Sequence, residues 1–274
     1  MNPPPRSSRF AMGDFFDDYV RRIFPERAQA QGGDWQWPGD EWADDRLREA
    51  TFDCLGAAFL AADSHVIEIG PGSGKYTQML LDRTPASITA YEISPAFIGS
   101  LEARCADHVA AGRLAVRHSA WTDNRSLIDD FTKGGTGCNL FFGIDVFLMM
   151  DFQSALTYLI SAACLLQKGG RFVGTFGDGG SDSGWARMLR DCGRHSAFDT
   201  APSTRFHWID EPILRGALER LGFGSIEIVH GPDGGLDIAR LYVSATLDRP
   251  MPIEAALQIL TPAGDSTNRP APTA

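Results

Sequence analysis

The stretch that decides the fold runs from His65 to Glu92. It begins His65-Val66-Ile67-Glu68-Ile69, continues as Gly70-Pro71-Gly72-Ser73-Gly74 and, after positions 75–83, ends in Ile88-Thr89-Ala90-Tyr91-Glu92. The first run is apolar and β-branched, which is typical of a strand buried on both faces. The glycines predict a loop that a ligand can approach closely, because they carry no Cβ. The stretch therefore predicts a strand–loop–helix–strand unit with a ligand-binding loop.

The spacing of the glycines narrows the class of ligand. A dinucleotide-binding loop has the pattern Gly-x-Gly-x-x-Gly, and here the third glycine comes one residue early. A P-loop would need glycine and Ser or Thr where this chain has Ile69 and Tyr76. Lys75 is the only cation near the loop, so we expect a nucleoside-like ligand without a phosphate tail.

Two carboxylates flank this loop in the sequence. Glu92 ends the second strand, where a bound ribose would present its hydroxyls. Glu68 immediately precedes the loop, where it would repel a pyrophosphate and attract an ammonium group.

The segment Glu68-Ile-Gly-Pro-Gly-Ser-Gly74, taken with Glu92, resembles motifs I and II of the class I S-adenosylmethionine-dependent methyltransferases. A second block, from Asn139 to Phe176, resembles the fourth strand, the following helix and the glycine turn of the same family. Gln167-Lys168 stands there in place of the family's Lys-Pro pair. The resemblance covers residues 60–177 and implies S-adenosylmethionine as cofactor.

The alternation of strands and helices predicts an α/β protein with an open, doubly wound sheet. The family resemblance implies seven strands in the order 3-2-1-4-5-7-6, with the last strand antiparallel. We expect three parts: a helical N-terminal extension with a tryptophan-rich lid (1–45), the methyltransferase domain (46–247) and a C-terminal tail (248–274).

The resemblance also implies which residues bind the cofactor. Asp145, after the fourth strand, is expected to hold the methionine moiety. Ser119 stands where the family often has an acidic residue for the adenine amino group, and Trp121 either stacks on adenine or packs. The full predicted set is Glu68, Gly70, Gly72, Gly74, Glu92, Ile93, Ser119, Ala120, Trp121 and Asp145.

Two residues are the catalytic candidates. His207 precedes a predicted helix on the side expected to face the substrate, where it could act as a general base. Asp151 is either an N-cap, with Ser154 three residues on, or a direct participant. Met149 stands where many similar sequences have histidine, and methionine cannot accept a proton. His118 and Asp178 are weaker candidates, and Asp145 with Asp178 lacks a third ligand for a metal, so no metal site is predicted.

The amino-acid composition of the chain limits the kinds of partner that it is expected to bind. The chain has 274 residues, 43% hydrophobic content, a formal net charge of −10 and three lysines, which argues against a nucleic-acid partner. Its five cysteines form no Cys-x-x-Cys pair, which argues against structural zinc. No apolar run reaches a membrane-spanning length and no signal core opens the chain, so we expect a cytoplasmic protein without a membrane partner.

We expect a small-molecule acceptor, methylated on oxygen or nitrogen, such as a sugar or secondary metabolite. Whether the protein is a homodimer stays open. Three tryptophans, Trp35, Trp37 and Trp42, lie in a glycine- and proline-bearing loop that either covers the site or only packs.

Other functions also remain open at this point. The motif resembles the rRNA adenine dimethyltransferases too, but Asn139-Leu140-Phe141-Phe142 lacks the proline of their base-gripping motif. Protein or carboxylate methylation, aminopropyl transfer and a non-catalytic cofactor-binding subunit are the remaining alternatives.

Overall fold

The computed structural model describes residues 11–119, 124–133, 137–195, 206–231 and 239–261. Its strands are β1 (His65–Ile69), β2 (Ser87–Glu92), β3 (Leu114–His118), β4 (Cys138–Gly143), β5 (Leu166–Asp178), β6 (Trp208–Ile209), β7 (Phe223–His230) and β8 (Arg240–Leu247). Within the described residues they form one sheet in the order β3-β2-β1-β4-β5-β8-β7, with the two-residue β6 paired to the end of β5.

The predicted topology is confirmed for the seven long strands. Strands β1 to β5 pair in parallel, whereas β8 runs antiparallel to both β5 and β7. The short strand β6 is not among the seven predicted strands, because two residues are too few to show an alternating pattern. It pairs Trp208 with Gly177 and Ile209 with Asp178.

Eleven α-helices are present in the described parts of the chain. They are α1 (Ala11–Asp18), α2 (Phe24–Ala30), α3 (Asp45–Leu55), α4 (Lys75–Arg83), α5 (Pro95–Arg104), α6 (Ala106–Ala110), α7 (Asn124–Thr132), α8 (Phe152–Leu165), α9 (Asp182–His195), α10 (Glu211–Arg220) and α11 (Ile253–Leu260). No helix in these described parts is both long and apolar enough to cross a membrane.

Helices cover the sheet on both faces. On one face α7, α8, α10 and α11 contribute buried side chains to a core that includes Ile67 of β1. On the other face α3, α4 and α5 contribute to a second core that includes Val66. Neighbouring residues of β1 thus point into different cores, which is why Val66, Ile67 and Ile69 are all apolar.

The N-terminal helix is longer than predicted. The pattern predicts a helix over Asp14–Phe24 closed by Pro25, but a π-helical segment (Tyr19–Ile23) joins α1 directly to α2. The Phe24 N–H donates to the carbonyl of Tyr19, five residues back. Pro25 then falls in the first turn of α2, directly after the π-helical segment. Tyr19 and Phe24 pack against Phe97 of α5.

Candidate functional site

The glycine loop lies between β1 and α4, at the carboxyl ends of the parallel strands. Gly70, Gly72 and Gly74 all have positive φ, at 61°, 57° and 85°. A Cβ on Gly70 would lie 2.5 Å from the Cγ2 of Val146, so the loop needs glycine there for space as well as for conformation. Gly74 directly precedes α4, so the positive end of that helix faces the loop.

Glu92 is held by the backbone around this loop. Its Oε2 accepts a hydrogen bond from the N–H of Gly72 at 3.0 Å, and its Oε1 accepts bonds from Ile93 and Ser94 at 2.8 and 2.9 Å. The residue is only 3% exposed, and burial raises the pKa of its carboxyl although the three bonds act in the opposite direction. The carboxylate is therefore fixed in orientation at the end of β2.

Glu68 also faces the cavity at the loop, but with a different environment. Its Oε2 accepts a hydrogen bond from the hydroxyl of Thr77 at 2.7 Å. Burial raises the pKa of Glu68 to about 8, with a smaller contribution from the negative charge of Glu92. A positive group entering the cavity would favour its ionised form.

Asp145 follows β4 in a strained conformation, with φ of 62°. Its N–H donates to the hydroxyl of Thr175 at 2.7 Å, which fixes the turn. Its carboxylate pairs with Arg240, whose Nε lies 2.7 Å from Oδ1 and whose Nη2 donates to Oδ2 at 3.1 Å. Sequence reasoning did not single out Arg240, because it lies 95 positions away in the chain.

These groups surround a cavity of about 800 Å³ with an open mouth. Of the predicted cofactor-binding residues, it brings together Glu68, Gly70, Gly72, Glu92, Ile93 and Asp145. A smaller cavity of about 320 Å³ shares Gly70, Ile93 and Val146 with the first and adds Ser119. Gly74 lies behind the loop, against Leu101, and lines neither cavity. Ala120 and Trp121 lie outside the described residues.

The N-terminal segment forms one wall of the larger cavity. Phe16, Pro38, Gly39 and Trp42 all line it. Asp17 ties this segment to the start of α5, where it accepts hydrogen bonds from the Ser94 hydroxyl and the Ala96 N–H.

Two further contacts fasten the loop that carries Gly39. Asp40 pairs with Arg104 at 3.0 Å, and both side chains are largely buried. Lys75 donates from Nζ to the Gly39 carbonyl oxygen at 2.8 Å. The sequence analysis assigned Lys75 no role, because its partner is a backbone group distant in the chain.

The two catalytic candidates lie near each other but line neither cavity. The N–H of His207 donates to the carbonyl of Leu148 at 2.8 Å, next to the cavity residue Met149. Asp151 caps α8, accepting from both the N–H and the hydroxyl of Ser154 at 2.9 Å. Although partial burial opposes it, these bonds and the nearby His207 lower the pKa of Asp151.

The weaker candidates have other partners. His118 is exposed, and its Nε2 lies 3.0 Å from the carbonyl oxygen of Ile93. Asp178 is fully buried, and its Oδ2 lies 2.8 Å from Nδ1 of His230. In the part of the chain that the structure describes, no group of three or more His, Cys, Asp or Glu side chains is arranged to hold a metal ion.

No protein-family model and no curated protein sequence matches this chain. Solved structures do match its fold. An O-methyltransferase family protein from Burkholderia thailandensis is 17% identical, with a TM-score of 0.57 over 89% of this chain and 63% of that one. The chain thus spans less than two thirds of that protein's length.

Two other similar structures are matched over nearly their full length. Magnesium protoporphyrin IX methyltransferase from Synechocystis, with bound S-adenosylhomocysteine, is 17% identical, with a TM-score of 0.54 over 85% of this chain and 99% of that one. Geranyl diphosphate C-methyltransferase from Streptomyces coelicolor is 11% identical, with a TM-score of 0.57 over 89% and 99%. The chain therefore has the fold of the class I methyltransferases.

Proposed function

We propose that this protein is an S-adenosylmethionine-dependent methyltransferase that acts on an oxygen or nitrogen atom of a small molecule, such as a sugar or a secondary metabolite. The observation that carries the proposal is the pairing of Glu92 with the glycine loop. A buried carboxylate, oriented by three backbone N–H groups, faces a cavity that the glycine loop lines on one side. Such a group suits the two vicinal hydroxyls of a ribose.

In this proposal the rest of the cofactor occupies the same cavity and the smaller one beside it. The slot lined by Ile93 and Ser119 is placed for the adenine ring, on the β3 side of Glu92. The loop at Gly70 and the turn at Asp145 are placed for the methionine portion, on the β4 side. The sulfonium of bound S-adenosylmethionine supplies an electrophilic methyl group. The protein then needs to align the acceptor and exclude water.

The acceptor side supports a small substrate. The N-terminal segment walls the cavity, which favours a small acceptor over a macromolecule. In this proposal His207, held beside Met149 by its bond to Leu148, removes the proton of the acceptor hydroxyl or amine. Asp151 stabilises the protonated imidazole through its negative charge, consistent with the lowering of the pKa of Asp151 by the charge of His207.

The test is transfer of a labelled methyl group from S-adenosylmethionine to a library of small hydroxyl and amine compounds. The proposal expects at least one acceptor, and a loss of turnover of about 10²-fold or more for His207→Ala with little change in cofactor affinity. His108→Ala is a matched control, because His108 pairs with Asp82 on the far surface. Full turnover in His207→Ala would remove His207 as the base, and transfer only to RNA or protein would contradict the acceptor class.

A cytoplasmic location stays a prediction of the sequence, and cell fractionation tests it. Whether the protein forms a homodimer is a question for light scattering on the purified chain.

A further inference from the structure

Lys75 is a buried cation in the wall of the candidate cofactor cavity. It is the first residue of α4, directly after the last glycine of the loop, and it is 9% exposed. Its Nζ donates to the carbonyl oxygen of Gly39 at 2.8 Å. A backbone carbonyl is a neutral acceptor and does not balance the charge of an ammonium group.

The nearby carboxylates are already engaged by other cations. Asp145 and Asp40 are the two acidic groups that act most strongly on Lys75. Asp145 pairs with Arg240, and Asp40 pairs with Arg104. Among the described residues, no carboxylate lies within salt-bridge distance of Nζ of Lys75. The ammonium of Lys75 is therefore left without a paired carboxylate among these residues, whereas Asp145 and Asp40 each have an arginine partner.

The unpaired ammonium belongs to the larger cavity and not to the predicted adenine slot. Glu92 and the slot at Ser119 belong to the carboxyl ends of β2 and β3. Asp145 follows β4, on the other side of β1 in the sheet. Lys75 lines the larger cavity together with Asp145, and neither residue lines the slot. A ligand with its ribose at Glu92 would extend its amino-acid end in this direction.

We propose that the Lys75 ammonium binds the carboxylate of the cofactor's methionine portion while it keeps its hydrogen bond to the Gly39 carbonyl. The inference rests on the proposed function and deepens it. An ammonium has three N–H donors, so it can serve both acceptors at once. Lys75 would then join the bound cofactor to the loop that carries Gly39 and Trp42, which walls the cavity. Binding of the cofactor would therefore also fix the position of this wall.

The burial of Lys75 is consistent with binding a carboxylate. It lowers the pKa of Lys75 to about 8, although the charges of Asp145 and Asp40 act in the opposite direction. A carboxylate at hydrogen-bond distance would favour the charged form and remove part of the cost of burying it.

The experiment compares S-adenosylmethionine with decarboxylated S-adenosylmethionine, which keeps the adenosine, the sulfonium and the amine. Calorimetric titration of the wild-type chain is expected to show S-adenosylmethionine binding about 10- to 100-fold more tightly. Lys75→Met keeps the apolar stem of the side chain and should remove most of this preference. Its affinity for the decarboxylated compound should change by less than about threefold. Lys133→Met, at an exposed lysine, is the control.

Each outcome has a separate meaning. Equal weakening of both compounds in Lys75→Met would show that Lys75 only holds the wall, and would overturn the inference. Equal binding of both compounds to the wild-type chain would overturn it without any variant, so the test does not depend on Lys75→Met folding. Binding of neither compound to the wild-type chain would instead contradict the proposed cofactor.

Discussion

At the scale of single residues, Glu92 combines two roles in one carboxylate. Its three bonds from Gly72, Ile93 and Ser94 close the glycine loop onto the end of β2. The carboxylate also lines the cavity, and its two oxygens can accept more hydrogen bonds than these three. A substitution of Glu92 is therefore expected to change both the stability of the fold and the affinity for the ligand, so both must be measured.

Replacing Glu92 by alanine is expected to weaken binding of S-adenosylhomocysteine about 10- to 100-fold, because two charge-assisted bonds to ribose are lost. Unfolding in urea should show a loss of stability of about 1–3 kcal/mol, since three backbone donors lose their acceptor. Glu102→Ala, at an exposed position of α5, is the control. An unchanged dissociation constant in folded Glu92→Ala would show that the ribose lies elsewhere.

A second residue-scale arrangement concerns stability rather than binding. The His230 ring lies between two carboxylates, with Nδ1 2.8 Å from Asp178 and Nε2 3.2 Å from Glu211. The hydrogen bond to Asp178 raises the pKa of His230, with a smaller contribution from Glu211 and against the effect of burial. A raised folded-state pKa stabilises the fold fully below the unfolded value and less as pH rises through the folded value.

The expected result is that His230→Gln costs about 1 kcal/mol more at pH 5.5 than at pH 8.5, after allowing for the partial exposure of the ring. Urea unfolding of both proteins at the two pH values measures the difference. Equal losses of stability at both pH values would mean that Asp178 does not stabilise the protonated form of the His230 ring.

At the scale of elements, the local features of the fold could be predicted and the contacts between distant segments could not. The β1 run, the glycine loop and the Asp151 cap of α8 depend on neighbours a few residues away. The bond between Lys75 and Gly39 and the pair of Asp40 and Arg104 join positions separated by 36 and 64 residues. A periodic pattern of hydrophobic residues cannot predict contacts between positions so far apart in the chain.

The N-terminal helix shows the same limit. Pro25 signals a helix end, but the π-helical segment before it changes the register so that the helix continues. Packing of Tyr19 and Phe24 on α5 then outweighs the local signal. For the site, the sequence could indicate that Glu68, Glu92 and Asp145 share one sheet edge, but not that Asp145 is paired with Arg240.

The wall formed by the N-terminal segment gives an element-scale prediction. Trp42 lines the cavity and contacts Tyr19, with ring centroids 5.1 Å apart. If this wall retains the cofactor, Trp42→Ala should release S-adenosylhomocysteine about tenfold faster, because an apolar contact worth about 1.4 kcal/mol is lost. Stopped-flow dissociation measures the rate.

Trp185→Ala is the matched control, since Trp185 of α9 is 57% exposed and lines neither the cavity nor the adenine slot. An unchanged release rate in Trp42→Ala would assign Trp42 to packing alone.

At the scale of the whole molecule, three independent features agree. The order of the sheet puts β1 and β4 side by side, which is the switch point where α/β sheets bind ligands. The cavity lies at that point, and the predicted carboxylates Glu68, Glu92 and Asp145 all line it. The formal net charge of −10 disfavours a polyanionic acceptor. The first two features agree with the proposed cofactor site, and the charge agrees with the proposed small-molecule acceptor.

The most direct test of the central claim is calorimetric titration of the purified full chain with S-adenosylmethionine and, separately, with S-adenosylhomocysteine. The account predicts one site per chain for each compound, with micromolar affinity that falls in Glu92→Ala. Folded wild-type protein that binds neither compound would contradict the account, because the cavity at Glu92 and the glycine loop would then serve some other ligand.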